Sequence, residues 1–255
     1  MTRLLRALAP VVLIALLLAA WEIACRALQV PLFFLPPPSA IVVAMAADWR
    51  ELLQSAWSTL SMALIALLLA SLISQALALA VSLSVTIERT VWPLAVVLQV
   101  TPVVAIAPLV VIWAGLDHAD RAIMALATIV AFFPIFSGAV AGLKAADPDL
   151  ERLFDLYGAS PLQRLVKLRL PSAVPQLLEG HKVAAGLALI GAVVAEFVAG
   201  SGGAQGLAWR ILEASHRMQT AKMFAAVVVL GLMGAGLNTA LRALEKAGLR
   251  WWRGR

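Results

Sequence analysis

Ile123–Leu143 reads IMALATIVAFFPIFSGAVAGL, and the chain then changes character: Lys144–Lys182 reads KAADPDLERLFDLYGASPLQRLVKLRLPSAVPQLLEGHK. The first stretch has no charged side chain, and as a helix it is long enough to cross a hydrocarbon layer roughly 30 Å thick. The second is charged from end to end and punctuated by Pro148, Gly158, Pro161, Pro171 and Pro175. An apolar span followed by a polar protrusion is the pattern of a membrane protein. Working outward, five more apolar runs of comparable length lie near Leu8–Leu28, Trp57–Val85, Val91–Gly115, Val183–Gly200 and Met223–Leu244. The second of these is long enough to tilt. The fifth span, Val183–Gly200, is short and Gly-rich, which predicts packing inside the bundle.

Composition agrees. Of the 255 residues, 62% are hydrophobic and 13% charged, with mean hydropathy +0.94. Soluble domains are about half apolar and a quarter charged. Disorder needs the opposite balance, and a disulfide scaffold needs more than the single Cys25. Arg3 and Arg6 before an apolar run resemble a signal peptide, but the run continues through Trp21 and Ile23, too far for a typical signal, so an uncleaved anchor is expected. Cys25 reads as a small apolar side chain.

Six spans put both termini on one side. On the proposed inner side lie 14 of the 20 Lys and Arg residues, including Arg89, Lys144, Arg152, Arg164, Lys167, Arg169, Lys182 and Arg242. The outer side balances Arg26, Arg50, Arg121, Arg210, Arg217 and Lys222 against six acids, so the +6 charge belongs to the cytoplasmic face. The high pI therefore reflects topology and gives no reason to invoke nucleic acid. Leu249-Arg250-Trp251-Trp252-Arg253 suits an anchor at the membrane interface.

No Gly-x-x-x-x-Gly-Lys-Ser/Thr loop occurs, so the chain has no P-loop for ATP. Neither His-Glu-x-x-His nor Gly-x-Ser-x-Gly occurs, and His118, His181 and His216 fall on separate loops with no metal-ligand spacing. No catalytic residue and no metal ligand is expected.

The polar protrusion carries the most information. Asp147 followed by Pro148, Asp149 and Glu151 predicts a helix start, with Asp147 as N-cap and acids in the first turn. That helix should run to Tyr157, where Gly158 permits a left-handed turn. Ser160 then caps a second short helix, Pro161–Lys167, and Leu170-Pro171 with Pro175 reads as a proline stop before the next span. One reading is an amphipathic loop lying on the membrane surface. It leaves two glycine-separated short helices unexplained.

Here the sequence resembles the permease subunits of bacterial ABC importers. Their signature places Gly, nine residues, an aliphatic, one residue and Leu-Pro after a short helix. Gly158, Ala159–Lys167, Leu168, Arg169, Leu170 and Pro171 match that spacing. The signature's opening Glu-Ala-Ala falls on Arg152-Leu153-Phe154 and is not matched; Glu151 stands one position early. Leu35-Pro36-Pro37-Pro38-Ser39, the paired-proline stretch from Thr101-Pro102 through Pro108 to Trp113-Ala114-Gly115, and Ala195-Glu196-Phe197 with Gly206-Leu207 resemble the nitrate/sulfonate/taurine-type branch.

The resemblance implies an all-α integral membrane protein of about six transmembrane helices, with a cytoplasmic coupling-helix segment between the fourth and fifth. Residues 1–255 form a single transmembrane domain: 1–50 an anchor helix and outer loop, 55–245 the permease core containing the coupling segment 145–182. It implies a bacterial inner-membrane location with cytoplasmic termini. It also implies a second permease copy, two cytoplasmic ATPases that bind ATP and Mg, and a periplasmic or lipid-anchored solute-binding protein, with no cofactor bound by this chain. The ATPase contact is expected on Asp155, Leu156, Tyr157, Gly158, Ala159, Ser160 and Arg164. Leu156 and Tyr157 would be knobs in a groove, with Asp155 and Arg164 pairing with charges on its rim. Pathway or gate residues are expected among Gln99, Thr101, Pro102, Glu196, Gly202 and Gly203. Glu196 is an intramembrane acid, with a structural pair to Arg210 or Arg217 as the other reading. The cargo is expected to be a small anion such as a sulfonate, taurine or nitrate, or alternatively a pyrimidine-type vitamin precursor. An ion-driven secondary transporter would need inverted repeats and midplane charges, and neither is seen.

Overall fold

The computed structural model describes residues 2–115, 118–200 and 205–252. The described residues form helices and turns with no strand. In chain order the helices are α1 (Thr2–Ala27), α2 (Pro38–Ala47), α3 (Trp49–Leu83), α4 (Val85–Val100), α5 (Val103–Ala114), α6 (Ala119–Leu143), α7 (Pro148–Leu156), α8 (Pro161–Arg164), α9 (Leu170–Ala199), α10 (Leu207–His216) and α11 (Thr220–Trp252); a π-helical turn, Leu165–Arg169, joins α8 to α9. Among the described residues, five helical stretches are long and apolar enough to cross a membrane, and a sixth arises if the bent pair α4–α5 counts as one span.

Two spans differ from the sequence expectation. The run Val91–Gly115 is not one helix: α4 and α5 meet at 101°. The cause is local. Thr101 precedes Pro102, whose ring pushes it out of the helical region, and Thr101 takes φ −71°, ψ 122°. Its hydroxyl then donates to Val97 O at 2.7 Å, inside the preceding turn. The second difference is Pro171, which does not stop a helix. It occupies the first turn of α9, where a missing N–H costs least, and Pro175 is carried inside the same helix. The π turn before it absorbs the mismatch: Leu170 N–H donates to Leu165 O, and the Ser172 hydroxyl donates to Leu168 O at 2.8 Å. The second short helix accordingly ends at Arg164 rather than Lys167, and the fifth span extends back through the π turn to Pro161.

Packing divides the chain into two compact units: residues 1–57 with 205–231, and residues 58–204 with 232–255. In the first, Glu22 on α1 caps α2 from outside. Pro37 has no side chain to offer the α2 N-terminus, and Glu22 accepts from Ser39 N at 3.0 Å and from the Ser39 hydroxyl at 2.8 Å. Cys25 is buried nearby, as a small apolar residue would be. An ion network joins Arg210 to Glu213 (3.0 Å) and Glu51 (3.5 Å), Arg217 to Glu213 (2.9 Å) and Lys222 to Asp48 (2.9 Å) around a cleft of about 220 Å³.

The second unit is organised by α6 against α9. Gly180, Ala184, Ala188, Gly191 and Ala192 are buried on α9, and Ala127, Ala131, Ile135 and Phe136 on α6. A Cβ on Gly180 would stand 2.7 Å from Pro134 O, and one on Gly191 2.8 Å from Ala127 Cα, so only glycine lets the two backbones approach this closely. The expected inward packing of the fifth span is observed. Phe132 and Phe136 stack at 5.4 Å beneath Trp92 and close the core toward α4.

Candidate functional site

The polar segment between α6 and α9 folds from its own capping signals. The Asp147 carboxylate accepts from Asp149 N at 2.8 Å and starts α7. At the other end Gly158 adopts φ +62°, Gly158 N–H donates to Asp155 O and Ala159 N–H donates to Phe154 O, both at 3.0 Å. That crossed pair is a Schellman cap, and it needs a residue at ease with positive φ. Ser160 and Gln163 then form a reciprocal capping box, Gln163 N to Ser160 Oγ at 3.2 Å and Ser160 N to Gln163 Oε1 at 2.9 Å. Two short helices joined by a tight turn result, as the sequence indicated.

The turn points its apolar residues outward. Leu156 is 85% exposed and Tyr157 82%, with Leu162 close behind. A Cβ on Gly158 would meet nothing within 4 Å, so the glycine faces open space. The charged residues behave differently from the sequence expectation. Asp155 and Arg164 bond to each other across the turn. Arg164 also lies 3.4 Å from Glu151 Oε2, while Arg169 Nε donates to Glu151 Oε1 at 2.7 Å. Glu151 thus straps α7 to α8 and to the π turn that leads into α9. From sequence Glu151 is a first-turn acid of α7 and a signature residue one position early, and neither reading names the arginines it gathers. Arg164 and Arg169, one helical turn and a half apart, were the signal that one acid could gather both.

Of the pathway candidates, Gln99, Thr101 and Pro102 come together at the 101° break between α4 and α5. Glu196 lies on α9, 1% exposed, and accepts from the Thr59 hydroxyl of α3 at 2.7 Å. Thr59 had no sequence signal beyond being a hydroxyl in an apolar run. Arg210 and Arg217 pair with Glu213 in the first unit. Gly202 and Gly203 lie outside the described residues. The Thr128 hydroxyl of α6 lies 2.6 Å from Met124 O in its own helix and 3.4 Å from Ala66 O of α3. His181 is not on a loop: it stands within α9, with Nδ1 2.7 Å from Leu177 O and Nε2 2.8 Å from the Ser71 hydroxyl of α3, which also receives Gln75 Nε2 at 2.6 Å. Because a carbonyl only accepts, Nδ1 carries a proton.

Residues 76–250, which include the whole elbow, match the family described as binding-protein-dependent transport system inner membrane component. The chain belongs to this family. It is a permease subunit of an ABC importer, a multi-pass membrane protein that implies ATPase and binding-protein partners. It is 33% identical over 226 residues to a probable ABC transporter permease of Haemophilus influenzae, covering 89% of this chain and 90% of that one. It is 32% identical over 253 residues to the formylaminopyrimidine transport permease ThiX of Halalkalibacterium halodurans, covering 98% of each. The taurine transport permease TauC of Escherichia coli is 28% identical over 250 residues, 94% of this chain and 87% of that one. Among solved structures, an inward-facing MetNI methionine ABC transporter chain shares the fold, with TM-score 0.67 at 17% identity over 79% of this permease and 98% of that chain. The bent α4–α5 pair and the glycine-lined α6–α9 seam both lie within the matched residues.

Proposed function

We propose that the elbow Asp155–Ser160, with Arg164 bracing it, is the contact through which a cytoplasmic ATPase drives this permease. The observation that supports this most is the exposure of Leu156 and Tyr157 at a rigidly capped turn outside every spanning helix. Exposed large apolar residues on a stiff polar scaffold suit a groove on a protein partner. Both termini lie in the cytoplasm in this reading, which the Lys/Arg distribution supports. A second copy of the chain completes the pathway, the ATPases hold ATP and Mg, and a binding protein delivers solute from outside. Gly158→Arg places a long cation in the groove-facing turn. In the assembled complex it abolishes ATP hydrolysis stimulated by the binding protein; hydrolysis at the wild-type level would reject the contact.

For the cargo, we infer a small heterocyclic vitamin precursor of the pyrimidine type. Its support is the relative that transports formylaminopyrimidine, which aligns over nearly the whole of both chains at 32% identity. A sulfonate such as taurine is the second reading, favoured by the taurine permease at 28%. Uptake into proteoliposomes containing permease, ATPase and binding protein separates them. ATP-dependent accumulation of formylaminopyrimidine without accumulation of taurine supports the first; the reverse rejects it.

A further inference from the structure

Contacts between α9 and α11 within the second unit run in antiparallel order, beginning where a Cβ on Gly234 would stand 3.5 Å from Leu189 Cδ2. Lys182 Nζ lies 3.3 Å from Glu245 Oε2. A Cβ on Gly248 would stand 3.2 Å from Leu178 Cδ1. Trp252 Nε1 donates to the carbonyl oxygen of Pro171 at 2.7 Å. The last contact differs in kind from the others.

In an α-helix the carbonyl of each residue accepts from the N–H four residues on. Pro171 and Pro175 both lie in α9, four apart, and proline has no N–H. The carbonyl of Pro171 is thus denied its regular donor by the sequence itself. A side chain 81 residues further along the chain supplies one. An indole N–H can only donate, so this pairing satisfies both groups. Trp252 is therefore not solely the interface anchor that its place among basic residues suggested: its polar end is aimed into the protein. The carbonyl it holds lies two residues past the π turn, whose last residue, Arg169, is tied through Glu151 to α7.

We propose that Trp252 is a positioning residue for transport, its indole N–H replacing the donor that Pro175 withholds from Pro171 and so latching the C-terminal end of α11 to the root of the coupling segment. The proposal rests on the elbow being the ATPase contact. A displacement of α7 and α8 is then passed to α11 as well as to α9. Trp252 touches no solute and acts through Pro171.

The spacing of the prolines provides the test. Trp252→Phe keeps an aromatic ring and removes the N–H. Pro175→Ala restores an N–H four residues after Pro171, which makes the indole redundant for that carbonyl. Wild type, both single variants and the double variant are compared as complexes with ATPase and binding protein, by melting in detergent and by Mg-ATP hydrolysis in proteoliposomes. Trp252→Phe is expected to lower the melting temperature and to reduce hydrolysis by about two- to tenfold, the ratio to which one neutral hydrogen bond corresponds. Pro175→Ala is expected to resemble wild type, and the double variant to resemble Pro175→Ala. A double variant as impaired as Trp252→Phe would assign the effect to the ring and overturn the proposal, as would a Trp252→Phe complex identical to wild type. Rescue in melting with equal hydrolysis in all four would leave a structural bond and reject the latch. Failure of the underlying contact shows separately, as Gly158→Arg hydrolysing at the wild-type rate while the melting cycle still shows rescue.

Discussion

The α6–α9 seam and the α7–α8 elbow both hold two helices together, and they use opposite materials. The seam is made of absence: glycines and alanines let backbones touch, with Gly180 against Pro134 and Gly191 against Ala127. Its closest approaches set glycines against backbone atoms, which cannot swing aside, and among the described residues no ion pair joins α6 to α9. The elbow has almost no buried core. Its helices are joined by caps and by the charges of Asp155, Arg164, Glu151 and Arg169, while its large apolar residues stay exposed. Packed interiors transmit displacement without yielding. A seam of this kind suits a lever, and an exposed, internally braced knob suits the point where the lever is pushed.

The sharpest way to break this contrast is to put bulk into the seam. Gly180→Leu sets its first side-chain carbon 2.7 Å from the Pro134 carbonyl, a backbone atom that cannot swing aside. Overpacking of this kind costs about 1–3 kcal/mol and sometimes more, and here the helices must separate. Loss of folded protein, read as yield and melting temperature in detergent, is the expected result. Gly186, six residues on in the same helix, has nothing within 4 Å, so Gly186→Leu should melt like wild type. Equal damage from both substitutions would show that the seam is not what glycine is for.

The next effect in size belongs to the elbow and is independent of bulk. Gly158 adopts φ +62° with open space around it. Gly158→Ala therefore introduces no clash, only the strain of an L-residue in the left-handed region, about 1–2 kcal/mol. Because the cap is local, the expectation is a weakened response to the ATPase with the melting temperature of the bundle little changed. A melting shift as large as that of Gly180→Leu would mean that the elbow is part of the core.

The contrast also explains what the sequence could show. The elbow was legible because its structure is short-range: Asp147, Gly158 and Ser160 each act within five residues, and capping patterns survive without any knowledge of the fold; Gln163, the other half of the box at Ser160, emerged only with the structure. The number of spans was legible from hydropathy, and the fifth span's inward packing from its small residues. Boundaries and partners were not. Pro171 looks like a stop until the π turn at Leu165–Arg169 is known, since a widened turn leaves no mark in composition. Thr101-Pro102 contains the reason for the bend, but an apolar run on either side hides it from any window that averages hydropathy. Thr59, 137 residues from Glu196, could be named only after α3 and α9 were seen together.

Glu151→Gln tests the strap. The variant keeps the shape and one accepting oxygen but removes the charge shared by Arg164 and Arg169. Both arginines are partly solvent-exposed, so a modest cost, on the order of 1 kcal/mol, is expected. The loss should shrink further at high salt, where exposed ion pairs are screened. ATP hydrolysis by the complex, measured at low and high ionic strength, would show a deficit that narrows as salt is added; a deficit independent of salt would point to shape rather than charge.

Ser160→Ala is expected to have the smallest effect. The hydroxyl accepts from Gln163 N, and in return the Gln163 side chain accepts from Ser160 N. Removing the hydroxyl breaks one half of the capping box and leaves the other, since the backbone N–H of residue 160 survives the substitution. The full loss of a serine cap is about 0.5–2 kcal/mol, and the retained half holds this variant near the lower end. Because α8 is only four residues long and continuous with the π turn, the loss should appear as faster amide exchange at Ser160 and residues 162–164 rather than as a shift in melting. Exchange that stays slow after the substitution would mean that α8 is held by α9 and the Arg164 pairs alone, and the elbow would then be part of the lever rather than a separately capped knob.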